Sequence, residues 1–172
     1  MIALDSQSYT YLISAIESVQ EPKDSLAEQK ISLIRMFFYL TDTFYISPTV
    51  VDEYNEIKNN HERNQHKSFS DTLFPEFYPK PDAKKVESLT KKIKALGIDL
   101  NDSKIIAECL VFGADVLLSY DSKLLKKASD IKDIRVMPPS KYWESLNIPK
   151  NSRPDKIPHS SNPLSNENWW RW

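Results

Sequence analysis

The chain has 172 residues, 40% hydrophobic and 27% charged, with a net charge of −1. That length and composition suit one globular domain with an appendage and exclude a fibrous or wholly disordered chain. No apolar run reaches the ~18–20 residues of a membrane span. The start of the chain lacks the basic region that opens a signal peptide, and the single cysteine, Cys109, cannot form an internal disulfide. A soluble protein of the reducing cytoplasm is expected. The near-neutral total does not bear on nucleic-acid binding, because local charge decides it.

In chain order, Ile2-Ala3-Leu4 reads as a short buried strand ending at Asp5. Helical patterning follows over about 8–19, and Pro22-Lys23-Asp24 breaks it. A second helix is predicted over 24–40, with Ile31, Leu33, Ile34, Phe37 and Phe38 among its apolar residues; its 31–40 stretch is suited to a homodimer contact. Phe44-Tyr45-Ile46 reads as a strand, and Ser47-Pro48 as a helix start with serine at the N-cap and proline at the first helical position. Residues 59–81, polar and broken by Pro75, Pro79 and Pro81, are expected to form an irregular excursion or a frayed helix end plus loop, with His61 and His66 exposed.

Residues 82–96 predict a basic amphipathic helix ended by Gly97, and 101–112 a more apolar one ended by Gly113. A buried strand over 115–119, a short helix over 122–128, a strand over 134–137 and a helical turn over 141–146 follow. Strands alternating with helices predict an α/β fold, three-layer α/β/α around a mostly parallel sheet. The organisation expected is a domain over 1–147 and a Pro/Ser/Asn-rich tail over 148–172. Such a tail cannot fold alone, yet it ends in Trp169-Trp170-Arg171-Trp172. The indoles suit base stacking, a partner, or packing back onto the domain.

The carboxylates carry the chemistry. Asp5 and Asp121 each follow a strand and so lie at the carboxyl edge of a parallel sheet, where ligand sites form. Each also suits a plain helix cap. Asp102 falls near the apolar stripe of Ile105, Ile106, Cys109 and Leu110, where a carboxylate is costly unless paired or metal-bound. A first-turn acid complementing the helix dipole is the alternative. Glu53 borders the buried face of its helix, while Asp52 and Glu56 lie further toward solvent. Acids converging on one edge repel one another, and a hard divalent cation such as Mg²⁺ or Mn²⁺ relieves that repulsion.

These segments resemble the PIN-domain family of metal-dependent nucleases. The match runs through Ile2-Ala3-Leu4-Asp5-Ser6, then 46–53, then Asp102-Ser103-Lys104-Ile105-Ile106-Ala107, then 113–121 ending Ser119-Tyr120-Asp121. The last two are the most specific, and the likeness spans roughly 1–147. It implies a cytoplasmic endoribonuclease acting on single-stranded RNA, with Asp5, Glu53, Asp102 and Asp121 as the acids holding Mg²⁺ or Mn²⁺. Ser119 would support the site by hydrogen bonding, and Ser6 more weakly. Many small family members are toxins of toxin–antitoxin pairs, so an antitoxin or other protein partner is implied. The 59–81 segment and the tail depart from the compact toxin form.

Lysine-rich stretches (Lys84, Lys85, Lys91, Lys92, Lys94; Lys123, Lys126, Lys127) and the 59–81 segment are candidates to hold a phosphate backbone, or are simply solvated faces. An aspartyl-phosphate enzyme wants a second acid two residues after the first, where this chain has Gln7. The stronger alternative is a PIN-like scaffold that binds RNA or protein with little or no catalysis.

Overall fold

The computed structural model describes residues 1–172, the side chain of Ser18 excepted. Four strands, β1 (Ile2–Leu4), β2 (Phe44–Ile46), β3 (Val116–Leu118) and β4 (Arg135–Met137), form one parallel sheet in the order β2-β1-β3-β4. Leu4 pairs with Ile46 on one side and Leu118 on the other, so the carboxyl ends of β2, β1 and β3 finish level. Every residue of β1 and β3 is fully buried, which explains why both are unbroken apolar runs.

A parallel strand pair needs a crossover connection. Here the crossovers are α1 (Ser6–Ser18) and α2 (Ala27–Tyr39) after β1; α3 (Pro48–Asn55), α4 (Asn60–Thr72), α5 (Ala83–Lys94) and α6 (Leu100–Phe112) after β2; and α7 (Ser122–Ala128) after β3, with α8 (Pro139–Ser145) following β4. One group of helices packs through α2 against α1 and α8, the other through α6 against α5 and α3. The result is the three-layer α/β/α arrangement predicted from the strand–helix alternation. Gly113 ends α6 in the left-handed region at φ +87° and donates its amide to the Cys109 carbonyl at 2.9 Å, a stop that a residue with a Cβ adopts only under strain. No helix among the described residues is long and apolar enough to cross a membrane.

Two segments differ from expectation. Of the two forms expected for 59–81, the helix-plus-loop is the nearer, but residues 60–72 form a full helix, α4, rather than a frayed helix end. Asn59 caps it by accepting from the amides of His61 and Glu62, and His66 and Phe69 turn inward, so two inward positions suffice to dock an otherwise polar helix. His66 is buried at 3% exposure, contrary to the exposed position expected; His61 is exposed. The chain after α4 runs beside β2. The Ile46 amide donates to Pro75 at 3.1 Å and the Phe77 amide to Ile46 at 3.1 Å, and Phe74 and Phe77 are buried there.

The tail packs back onto α2 and α8. Trp170 and Leu164 are fully buried, and the Trp170 ring lies 4.4 Å from that of Phe38 between centroids. The indole N–H groups of Trp169, Trp170 and Trp172 donate to the carbonyls of Val19, Leu164 and Ile148 at 2.9, 2.9 and 2.7 Å. Tyr39 donates nothing to the tail but accepts from the Trp172 amide at 2.8 Å, while Arg35 lies over the Trp172 ring at 4.7 Å. Much of the apolar α2 surface that suited a dimer contact is thus covered within the chain.

Candidate active site

The carboxyl edge of the sheet places the acids. Asp5 leaves β1, its amide still bonded to the Leu118 carbonyl at 3.2 Å, and its Oδ1 accepts from the Ser8 amide at 2.6 Å, which caps α1. It is 5% exposed. Burial raises its carboxyl above the ordinary range, the Ser119 and Ser8 groups draw it back, and the charge of Asp121 adds to the rise.

Asp121 caps α7. Its Oδ1 accepts from the amides of Lys123 and Leu124 at 2.7 and 3.1 Å. Ser119, fully buried, accepts from the Asp121 amide at 3.1 Å and lies against Asp5, so one hydroxyl serves both acids. Both aspartates therefore fill the capping role and face the same edge, two uses that the sequence presented as alternatives.

Asp102 opens the first turn of α6 and is partly buried. Its carboxyl is pushed up to about 6, first by burial and then by the charges of Asp5, Asp121, Asp99 and Glu53. That list includes all three other predicted site acids, so the quartet shares one electrostatic field. Glu53 reaches it from α3. One of its oxygens accepts from the Ser6 hydroxyl and the other from Asn101 Nδ2 at 2.7 Å.

Asn101 is a residue that sequence reasoning missed; its position beside Asp102 was the available signal. Glu108 is another. Buried at 3% exposure on α6, it accepts from the Thr49 amide at 3.0 Å and the Thr49 hydroxyl at 2.8 Å. It thereby caps α3, a task that Ser47 does not perform, since the Ser47 hydroxyl is buried without a partner. Glu108 ties together the two helices that carry Glu53 and Asp102. An acid inside the apolar run Ile105-Ile106-Ala107-Glu108-Cys109 was its sequence signal.

The donor set is all hard oxygen, which fits a divalent cation of the Mg²⁺ or Mn²⁺ kind. The spacing is looser: among the described residues, no group of three or more His, Cys, Asp or Glu side chains is placed to hold a metal ion.

No family model matches the chain, and no curated protein matches it. Among solved structures, the crystal structure of FitAcB from Neisseria gonorrhoeae is similar with a TM-score of 0.50 at 17% identity, over 81% of this chain and 98% of that one. The crystal structure of VapBC2 from Rickettsia felis, bound to a DNA fragment from their promoter, gives a TM-score of 0.48 at 17% identity, over 79% and 97%. At such identities the likeness speaks to fold alone, and the second is too slight to argue from. The fold is α/β, three-layer and PIN-like, as the sequence resemblance implied.

Proposed function

We propose that the chain is a divalent-metal-dependent nuclease, an endoribonuclease that hydrolyses phosphodiester bonds of single-stranded RNA. The observation that carries this is geometric: Asp5 and Asp121 follow the adjacent strands β1 and β3 at one edge of the sheet, and Asp102 of α6 lies partly buried in their field, its carboxyl pushed up to about 6 by burial and by neighbouring acids. Acids held together against their own repulsion are a common mark of a functional site. Asp5, Glu53, Asp102 and Asp121 would hold Mg²⁺ or Mn²⁺. Such an ion, when bound, supplies charge neutralisation at the phosphate and activation of water for in-line attack.

The chain's own groups supply orientation. The Ser8 amide and Ser119 fix Asp5, the first amides of α7 fix Asp121, and Ser6 and Asn101 fix Glu53. Asp102, held up by burial and by four neighbouring acids, would be relieved by a cation. A cytoplasmic role with an antitoxin or other protein partner belongs to the same proposal and rests on the family resemblance.

A second reading, a PIN-like scaffold that binds RNA or protein without catalysis, is favoured by one observation. Asp5 and Asp121 cap helices and Glu53 is engaged by two side chains, so three of the four acids already perform structural work. Nuclease assays on single-stranded RNA with Mn²⁺ separate the readings. Activity that falls by orders of magnitude in Asp5→Asn and Asp102→Asn supports the enzyme; full activity in both variants of an active wild type would sink it. Calorimetric titration showing no Mn²⁺ binding at millimolar concentration favours the scaffold.

A further inference from the structure

The lysines of this chain differ in their company. Lys80, Lys91 and Lys104 are each held by an acid, Glu76, Glu87 and Asp52 in turn. Among the described residues, Lys94, Lys123, Lys126 and Lys127 have no ion-pair partner, and all four are exposed.

The fold brings these four to one border of the acid edge. Asp121 caps α7, so Lys123 stands in the first turn of that helix, beside a site acid. At about 100° per residue, Lys126 and Lys127 share its exposed side, away from the buried Leu124 and Ala128. Lys127 donates to the Gly97 carbonyl and so ties α7 to the turn between α5 and α6. Lys94 ends α5 just before that turn, and Asp102 lies in the first turn of α6 just after it. Within α7 there is no acid, and the turn over 95–99 holds only Asp99. The opposite border is different: around α3 and the start of α4, Asp52, Glu56 and Glu62 are exposed beside Lys58. Lys94, Lys126 and Lys127 also suit the dipole of a helix C-terminus, but Lys123 stands in a first turn, where the dipole favours an acid.

The same turn carries apolar surface. Leu96 is 50% exposed and Leu100 55%. Cations beside open apolar side chains match a ligand that is itself both anionic and apolar. A single strand offers phosphates together with unstacked bases; a duplex offers the phosphates but keeps its base faces stacked inside. We infer that the lysine face of α7 and the α5–α6 turn form the surface along which single-stranded RNA approaches the acids, with Lys94, Lys123, Lys126 and Lys127 on its phosphates and Leu96 and Leu100 against its bases. The inference rests on the nuclease proposal for the choice of RNA, but it is read out by binding without metal.

The full chain is titrated in EDTA with an unstructured fluorescent RNA, single-stranded or annealed to its complement, over a range of salt. The single strand is expected to bind more tightly than the duplex. Replacing Lys94, Lys123, Lys126 and Lys127 together by Gln should weaken single-strand binding roughly 100-fold at physiological salt. It should also flatten the log–log salt slope by about 3, at ~0.7 for each phosphate contact. Lys123→Glu alone, whose side chain makes no hydrogen bond among the described residues, should lose about tenfold. Lys84→Gln, Lys85→Gln and Lys132→Gln together, at the start of α5 and ahead of β4, should change neither quantity. Leu96→Ser with Leu100→Ser should weaken the single strand about fivefold and leave the duplex unchanged. Every replaced side chain is exposed, so melting temperatures should hold.

No RNA binding by the wild type, a duplex bound as tightly as the single strand, or an equal loss in the distant lysine variant overturns the surface. So do single-strand and duplex affinities that fall together in the leucine variant. Cleavage with Mn²⁺ is followed in parallel, where the fourfold lysine variant should raise KM and leave kcat unchanged. Binding that follows the lysines with no cleavage removes the nuclease proposal and keeps the surface; cleavage with KM unchanged in that variant does the reverse.

Discussion

The acid edge and the tail clasp both satisfy their polar groups, but only the edge gathers like charges. On the tail, three indole N–H groups each meet a carbonyl and Trp170 is fully buried. At the edge, Asp5 and Asp102 are both held above their ordinary protonation range by burial and by neighbouring acids. The first arrangement lowers the free energy of the fold and the second raises it. Stability and reactivity are therefore placed in different parts of one molecule, and the contrast can be attacked from either side.

The largest effect is expected at the clasp. Trp170→Ala removes a fully buried indole from Phe38 and should destabilise the fold by about 3–5 kcal/mol, read as a shift in denaturant midpoint. A loss under ~1 kcal/mol would mean that the tail only rests on α2. Next is the edge itself: Asp102→Asn should lower Mn²⁺-dependent cleavage by about 10²–10³-fold, roughly 3–4 kcal/mol of barrier, with the fold intact by circular dichroism. Smaller again is Glu108→Leu, which leaves the buried Thr49 amide without its charged partner and should cost about 1.5–3 kcal/mol. If stability holds there, Glu108 does not tie α3 to α6.

A further effect is expected in pH. The Asp102 carboxyl sits at about 6 in the folded chain against 3.8 as its ordinary value. Between those values the folded chain binds the extra proton, so metal-free stability should rise as pH falls through 6 toward 4, and be lost again as pH climbs back through 6. Asp102→Asn should flatten that part of the profile and melt higher than wild type at pH 7 without metal. A profile identical in wild type and variant would show that the edge is not under electrostatic pressure.

Much of this molecule could be read along the chain, for reasons that particular residues make plain. Ile2-Ala3-Leu4 and Val116-Leu117-Leu118 are buried on both faces, so their sequence is simply apolar. Asp5 and Asp121 stand at strand ends, where position in the chain fixes position in space. What stayed hidden depends on contacts across the chain. Residues 60–72 are polar nearly throughout, and nothing local reveals that His66 docks on Tyr9 and Thr10. The tail hides Leu164 and Trp170 among prolines, serines and asparagines, and its order comes from α2 rather than from itself. Asn101 gains its role only because α3 brings Glu53 alongside, 48 positions away in sequence.

The short run of chain beside β2 has a bearing on assembly. With Ile46 bonded on its outer side to Pro75 and Phe77, that flank of the sheet offers little backbone for a newcomer. The opposite flank is β4, where Arg135 is exposed and Val136 and Met137 are half-covered. Edge pairing by an extended peptide needs a row of unpaired amides and carbonyls. The two flanks of the sheet therefore differ: a bonded length of chain borders β2, the strand that leads into α3 and Glu53, while β4 stands at the far end of the strand order.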